Sequence, residues 1–153
     1  MATPRVLMVC LGNICRSPMA EGILKYKAQS QGLSVLVDSA GTSDWHSGEQ
    51  PDGRAMEEMR NNGIDISNQA SRPFSVLDFT KFDYILVMDD SNRNNVLSVA
   101  RNQTDISKVH MILDFGNEIQ GRPVPDPYYD DGFGRVYDLL DYACEAFIEA
   151  ELK

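Results

Sequence analysis

The sequence predicts a single α/β domain over residues 1–153: a four-stranded parallel sheet flanked by helices on both faces, with a loop of special composition after the first strand. Three observations carry this expectation. Short apolar runs recur four times, three of them unbroken, as strands buried on both faces require. Stretches with helical periodicity or helix-boundary residues separate them, the alternation that produces a parallel sheet with right-handed crossovers. The chain has 153 residues, 42% hydrophobic and 24% charged, a size at which one domain buries enough surface to stand without disulfide or metal staples.

Val6, Leu7, Met8 and Val9 form the first apolar run, which stops at Gly12 and Asn13. A helix starts near Ser17. Pro18 lies in its first turn, where a missing N–H costs nothing; Ala20, Ile23, Leu24 and Ala28 make its inner stripe and Gly32 closes it. Val35, Leu36 and Val37 give the second strand, ended by Asp38, Ser39, Ala40 and Gly41. A polar loop through Trp45, His46 and Gly48 leads to a helix opened by Pro51 and ended by Gly63, with Ala55, Met56 and Met59 facing inward. Tyr84, Ile85, Leu86, Val87 and Met88 are the strongest strand signal, and Ser91 is the expected cap of a helix reaching about Arg101. Residues 109–113 are the fourth strand. A turn-rich segment with Gly116, Gly121, Pro123, Pro125 and Pro127 precedes the last helix, whose stripe of Val136, Leu139, Leu140, Ala143, Cys144, Phe147 and Ile148 follows one face of a 3.6-residue period. No repeat or linker divides the chain.

With 14 Lys+Arg against 23 Asp+Glu, the net charge is −9. That balance argues against coating nucleic acid or an anionic membrane. No run approaches the roughly 18 apolar residues of a membrane span. Arg5 and the apolar run behind it imitate a leader, but the run is shorter than the h-region of about 7 to 15 residues, and bulky Val9 stands where a cleavage site wants a small residue. Three cysteines without a framework predict a reducing, cytoplasmic setting. The two histidines lie far from any cysteine pair, so neither a metal set nor a cofactor is expected.

In parallel sheets ligands bind beyond the carboxyl ends of the strands. Cys10, Leu11, Gly12, Asn13, Ile14, Cys15, Arg16 and Ser17 occupy that place between a buried strand and a helix start, where unpaired N–H groups and the helix dipole favour an anion. Gly12 and Asn13 readily take unusual backbone angles, and Arg16 brings a planar fork that fits two phosphate oxygens. Such a site stabilises a thiolate, which makes Cys10 a nucleophile aimed at phosphorus. The plainer alternative makes Cys10 the last core residue of a strand, with Arg16 on a solvated turn.

Displacing an alkoxide or phenoxide is helped by an acid. Asp126 stands between Pro125 and Pro127, with Tyr128 and Tyr129 directly after as walls for an aromatic leaving group. Neighbouring Asp130 and Asp131 would help keep it protonated. A solvated acidic turn before a helix is the alternative. Trp45 is either a substrate contact or an anchor under its loop. Cys144 reads as a buried structural thiol, His46 as a polar loop residue, and His110 carries no signal.

Taken together, Val9-Cys10-Leu11-Gly12-Asn13-Ile14-Cys15-Arg16-Ser17-Pro18, Asp38-Ser39-Ala40-Gly41-Thr42-Ser43, Asp83-Tyr84-Ile85-Leu86-Val87-Met88-Asp89 and Asp126-Pro127-Tyr128-Tyr129 resemble the signatures of the low-molecular-weight protein tyrosine phosphatases, in that family's order over essentially the whole chain. The resemblance implies metal-free, two-step hydrolysis of phosphotyrosine proteins or peptides; the oligomeric state is left open by the sequence, a monomer being favoured. Cys10 would form a phosphocysteine, Arg16 and the loop N–H groups would hold the phosphate, and Asp126 would serve as general acid and then base. Asn13, Ser17, Ser39 and Asp89 would support the site; Leu11, Trp45, Tyr128 and Tyr129 would line the cleft. Cys15 would form a reversible disulfide with Cys10, as expected of an exposed, redox-sensitive thiol. Asn68 stands where some members carry a network histidine. Among related activities, arsenate reduction needs further mobile cysteines, which Cys144 cannot supply. Protein-arginine phosphatases typically carry Thr where this chain has Ile14, and a non-catalytic phosphate-binding module would lack the nucleophile or the acid.

Overall fold

The computed structural model describes residues 2–153. The four apolar runs become β1 (Arg5–Cys10), β2 (Leu36–Gly41), β3 (Tyr84–Val87) and β4 (Val109–Met111), all parallel, in the order β2-β1-β3-β4. Between them run α1 (Arg16–Ser30), α2 (Gly53–Asn61), α3 (Asp78–Lys81), α4 (Asp90–Leu97) and α5 (Gln103–Ser107). After β4 come a 3₁₀ turn (Ile112–Phe115), then α6 (Phe133–Phe147) and a π-helical turn (Ile148–Leu152).

Alternate residues of β1 feed two cores, which is why its run is apolar throughout. Val6, Met8 and Cys10 join the cluster under α1, α2 and α6, while Leu7 and Val9 join Phe79, Ile85, Val87, Val96 and Met111 on the other face. Helices thus cover both faces, as predicted. β2 and β3 flank β1, so the chain order reverses at β1 and a crevice opens beyond its carboxyl end. Among the described residues no helix is long and apolar enough to cross a membrane.

Several boundaries differ from the sequence reading. Asp38, Ser39, Ala40 and Gly41 continue β2, because their polar side chains are satisfied: Arg72 donates to Asp38 at 3.1 Å, and Ser39 reaches Glu21 at 2.6 Å. Asp89, not Ser91, caps α4, accepting from the Asn92 N–H at 2.8 Å. The fourth strand ends at Met111, where the 3₁₀ turn begins. The helix expected to reach Arg101 ends at Leu97, and a separate α5 follows.

Candidate active site

The loop from Cys10 to Arg16 crosses from the end of β1 to the start of α1 with its carbonyls tied outward. Cys10 O accepts from Thr42 N at 2.9 Å, Leu11 O from Ser43 N at 2.9 Å, Gly12 O from Ser71 Oγ at 3.0 Å, and Ile14 O from Asp52 N at 2.8 Å. A peptide N–H points opposite to its carbonyl. The N–H groups of Leu11, Gly12, Asn13 and Cys15 are therefore turned to the inside of the loop, making an anion nest. Two residues permit this path. Asn13 takes φ 56°, the left-handed region that asparagine tolerates. Gly41 lies so close that a Cβ there would stand 2.7 Å from Leu11 O.

Behind the loop, buried side chains set which way hydrogens point. Glu21 is 4% exposed, accepts from Ser39 Oγ at 2.6 Å and pairs with Lys25 Nζ at 2.6 Å. The single hydroxyl hydrogen of Ser39 is thereby committed, so Ser39 accepts from Asn13 Nδ2 at 3.0 Å. Asn13 Nδ2 spends its other hydrogen on Ser17 Oγ at 2.8 Å, and Oδ1 accepts from Arg72 N at 3.1 Å. Ser17, having accepted, turns its own hydrogen to Cys10 Sγ at 3.0 Å, and its N–H lies 3.4 Å from the same sulfur. Two donors converge on Sγ, which suits a thiolate. The sequence reading missed Glu21; the available signal was an acid beside Ala20 and Leu24 on the inner stripe.

Arg16 is buried and joins three parts of the chain. Nη1 donates to Asp89 Oδ2 at 2.7 Å and to Val124 O at 3.0 Å, and Nη2 lies 3.8 Å from Asp126 Oδ2. Burial works against its cation, but Cys10 and the hydrogen bond to Asp89, with Asp126 beyond, more than offset that and hold it protonated. Asp126 Oδ1 accepts from Tyr128 N at 3.0 Å, leaving Oδ2 toward the loop.

Cys10, Leu11, Arg16, Trp45, His46, Asp126, Tyr128 and Tyr129 are among the residues lining one cavity of about 200 Å³. Trp45 is 71% exposed and Tyr129 82% exposed at its rim, so Trp45 is no buried anchor. Tyr128 and Tyr129 meet edge to face, with centroids 5.2 Å apart. His46, read as a plain loop residue, also lines the cavity, over Gly12 and against Glu49 at 3.1 Å.

Three expectations fail in detail. Cys15 is buried, not exposed, and burial, then Asp52, Cys10 and Asp126, push its thiol well above the ordinary range. Asn68 is exposed and outside the network; its neighbour Gln69 instead donates to Pro18 O at 3.1 Å, with Oε1 buried and unpaired. Asp130 and Asp131 do not bear on Asp126 as free charges, since Asp130 pairs with Arg135 at 3.1 Å and Asp131 with Arg54. Cys144 is buried as expected, its thiol pushed up to about 12 by burial. Among the described residues no cluster of three or more His, Cys, Asp or Glu could hold a metal.

A family model described as low molecular weight phosphotyrosine protein phosphatase matches residues 5–153. The chain is 42% identical over 145 residues to the Schizosaccharomyces pombe low molecular weight phosphotyrosine protein phosphatase, covering 91% of this chain and 92% of that one. The crystal structure of a protein tyrosine phosphatase from Entamoeba histolytica superposes with a TM-score of 0.90 at 40% identity, covering 96% of each chain. That of a Drosophila arginine phosphatase superposes at 0.86 with 33% identity, covering 95% of this chain and 96% of that one.

Proposed function

The chain belongs to the low molecular weight phosphotyrosine protein phosphatase family, and from that premise we propose that it hydrolyses phosphotyrosine in proteins or peptides, and aryl phosphomonoesters, through a phosphocysteine. The observation that carries the reading is the convergence of two donors on Cys10 Sγ, with Arg16 and Asp126 at the same cavity. The Cys10 thiolate attacks phosphorus, and the bond from phosphorus to the phenolic oxygen breaks. That oxygen leaves with the electron pair and takes a proton from Asp126. The proton sits on Oδ2, because Oδ1 already accepts a backbone N–H. Arg16 and the N–H groups of Leu11, Gly12, Asn13, Ile14 and Cys15 hold the three remaining oxygens, and Ser17 closes the phosphate loop with its N–H near Cys10 Sγ. In the second step the Asp126 carboxylate takes a proton from water, water oxygen bonds to phosphorus, and the Cys10 thiolate departs. The sequence needs no metal or cofactor.

Asn13, Ser17 and Ser39 keep the sulfur an acceptor, and Asp89 holds Arg16 in line. Ile14 and Leu11 at the base, with Trp45, Tyr128 and Tyr129 at the rim, form a slot suited to a flat phenyl ring. Cys15 serves as the partner that traps oxidised Cys10 as a disulfide. The whole of 1–153 is read as one phosphatase domain acting as a cytoplasmic monomer on phosphoproteins, without nucleic-acid or membrane partners; the net charge of −9 and three free cysteines support this. A second reading, arginine phosphatase activity, is favoured by the Drosophila neighbour alone and is opposed by bulky Ile14.

The test compares wild type with Cys10→Ser on phosphotyrosine, phosphoserine and phosphoarginine peptides in the presence of chelator. Turnover confined to phosphotyrosine, abolished in Cys10→Ser with phosphate binding retained, is the expected result. Preference for phosphoarginine overturns the substrate reading, and near-normal hydrolysis by Cys10→Ser overturns the covalent mechanism.

A further inference from the structure

Arg54, the second residue of α2, plays no part in the chemistry just described, yet it touches every wall of the acid-bearing turn. Asp52, the cap of α2, is fixed to the phosphate loop through its N–H on Ile14 O at 2.8 Å. Its carboxylate grips Arg54 as a fork, taking Nε at 3.1 Å on Oδ1 and Nη2 at 3.1 Å on Oδ2. The remaining Nη1 donates to Asp131, and the guanidinium carbon lies 5.3 Å from the Tyr128 ring centroid and 4.9 Å from that of Phe133. Asp131 sits at φ 58°, a left-handed conformation that persists where the surroundings impose it. On the upstream side, Val124 O is held by Arg16; on the downstream side, Arg135 holds Asp130 to α6, and Arg54 ties the turn to the phosphate loop.

We propose that Arg54 is a positioning residue for this reaction, pinning the turn of residues 126–131 and the Tyr128 wall to the phosphate loop so that Asp126 meets the leaving oxygen. The inference rests on the phosphatase reading and deepens it. Asp131 is 75% exposed and Arg54 40%, so the Arg54–Asp131 pair itself contributes little to folding, and its effect belongs in the acid-dependent step. Small misplacements of a reacting group cost rate steeply.

Arg54→Met keeps a stem against the rings and removes the fork. The measurement is kcat/KM over aryl phosphates from good to poor leaving groups, with inhibition by inorganic phosphate, in wild-type and Asp126→Ala backgrounds. The expected loss is about tenfold on poor leaving groups and under about twofold on good ones, a part of what general acid catalysis supplies. Phosphate inhibition stays unchanged, and Arg54→Met adds nothing in the Asp126→Ala background. Asp131→Asn, which tolerates the left-handed backbone, changes kcat/KM in the same direction. Equal losses in both backgrounds, or across all leaving groups, overturn the proposal. If Asp126→Ala itself leaves the leaving-group dependence intact, the acid assignment fails and the Arg54 role with it, whereas failure of the covalent reading appears separately as Cys10-independent turnover.

Discussion

Glu21 and Cys10 do not touch, yet the carboxylate decides what the sulfur receives. With Ser39 committed to Glu21, the amide of Asn13 has one orientation, and with that orientation Ser17 keeps its own hydrogen to give, to Cys10 Sγ at 3.0 Å in preference to the longer contact with Ala40 O at 3.5 Å. Cys15 answers to other causes: burial first, then Asp52, Cys10 and Asp126, keep its thiol protonated while Cys10 reacts. Peroxide should therefore oxidise Cys10 to a sulfenic acid, which condenses with the Cys15 thiol and releases water. Activity lost by wild type should return with dithiothreitol, and Cys15→Ser should instead be lost for good as Cys10 goes on to the sulfinic acid. Equal recovery by Cys15→Ser would sink the pairing. At this scale the sequence announces Cys10, Asn13, Arg16 and Asp126, because one short loop and one Pro-flanked acid concentrate their signals. Glu21, Gln69, His46 and Arg54 escape it, because each acts through a neighbour from another element. Asn68 and Gln69 show the limit: adjacent in sequence, one is exposed and the other is packed on α1.

The two 15-residue helices, α1 and α6, and the continuous apolar runs of β1 and β3 are readable from pattern alone. The helices α3 and α5, with 4 and 5 residues, are too short to display a 3.6-residue period. Caps follow geometry instead of residue type, which is why Asp89 displaces Ser91 and keeps its other carboxylate oxygen for Arg16. The cap of α2 makes a testable case. Burial alone would raise the Asp52 carboxyl, but the hydrogen bonds from Arg54 and the helix N–H groups outweigh it and hold the group below the usual carboxylate range. A depressed folded value stabilises the fold fully above the unfolded value of about 3.9, and that stabilisation is lost as pH falls through the lower folded value. Asp52→Asn keeps a capping oxygen but removes the charge and, with Oδ2, the acceptor of Arg54 Nη2. Urea unfolding should show a deficit of about 1 kcal/mol at neutral pH that begins to close below about pH 4, as the unfolded carboxyl protonates, and is closed once pH has fallen through the lower folded value. A deficit that persists unchanged at pH 3 would mean that the charge is not what stabilises α2.

The whole molecule gathers at Arg16. Cys10 comes from the end of β1, Asp89 from the end of β3, and Val124 and Asp126 from the segment after β4, so one guanidinium ties both halves of the sheet to the acid turn. The parallel architecture and the place of the crevice follow from strand and helix alternation, but which carbonyl Arg16 would find 108 residues away has no local signal. A ligand closing this loop bears on global stability because its binding groups span the chain. Inorganic phosphate at about a hundredfold its Kd should stabilise the folded state by about 2.7 kcal/mol, a rise of several degrees in Tm for a chain of this size. In Arg16→Met, whatever its own stability, that phosphate-dependent increment should vanish, while Asp126→Ala should keep it. An increment retained by Arg16→Met would place the anion elsewhere on the surface, and an increment lost in Asp126→Ala would mean that the acid turn, not the loop after β1, governs phosphate affinity.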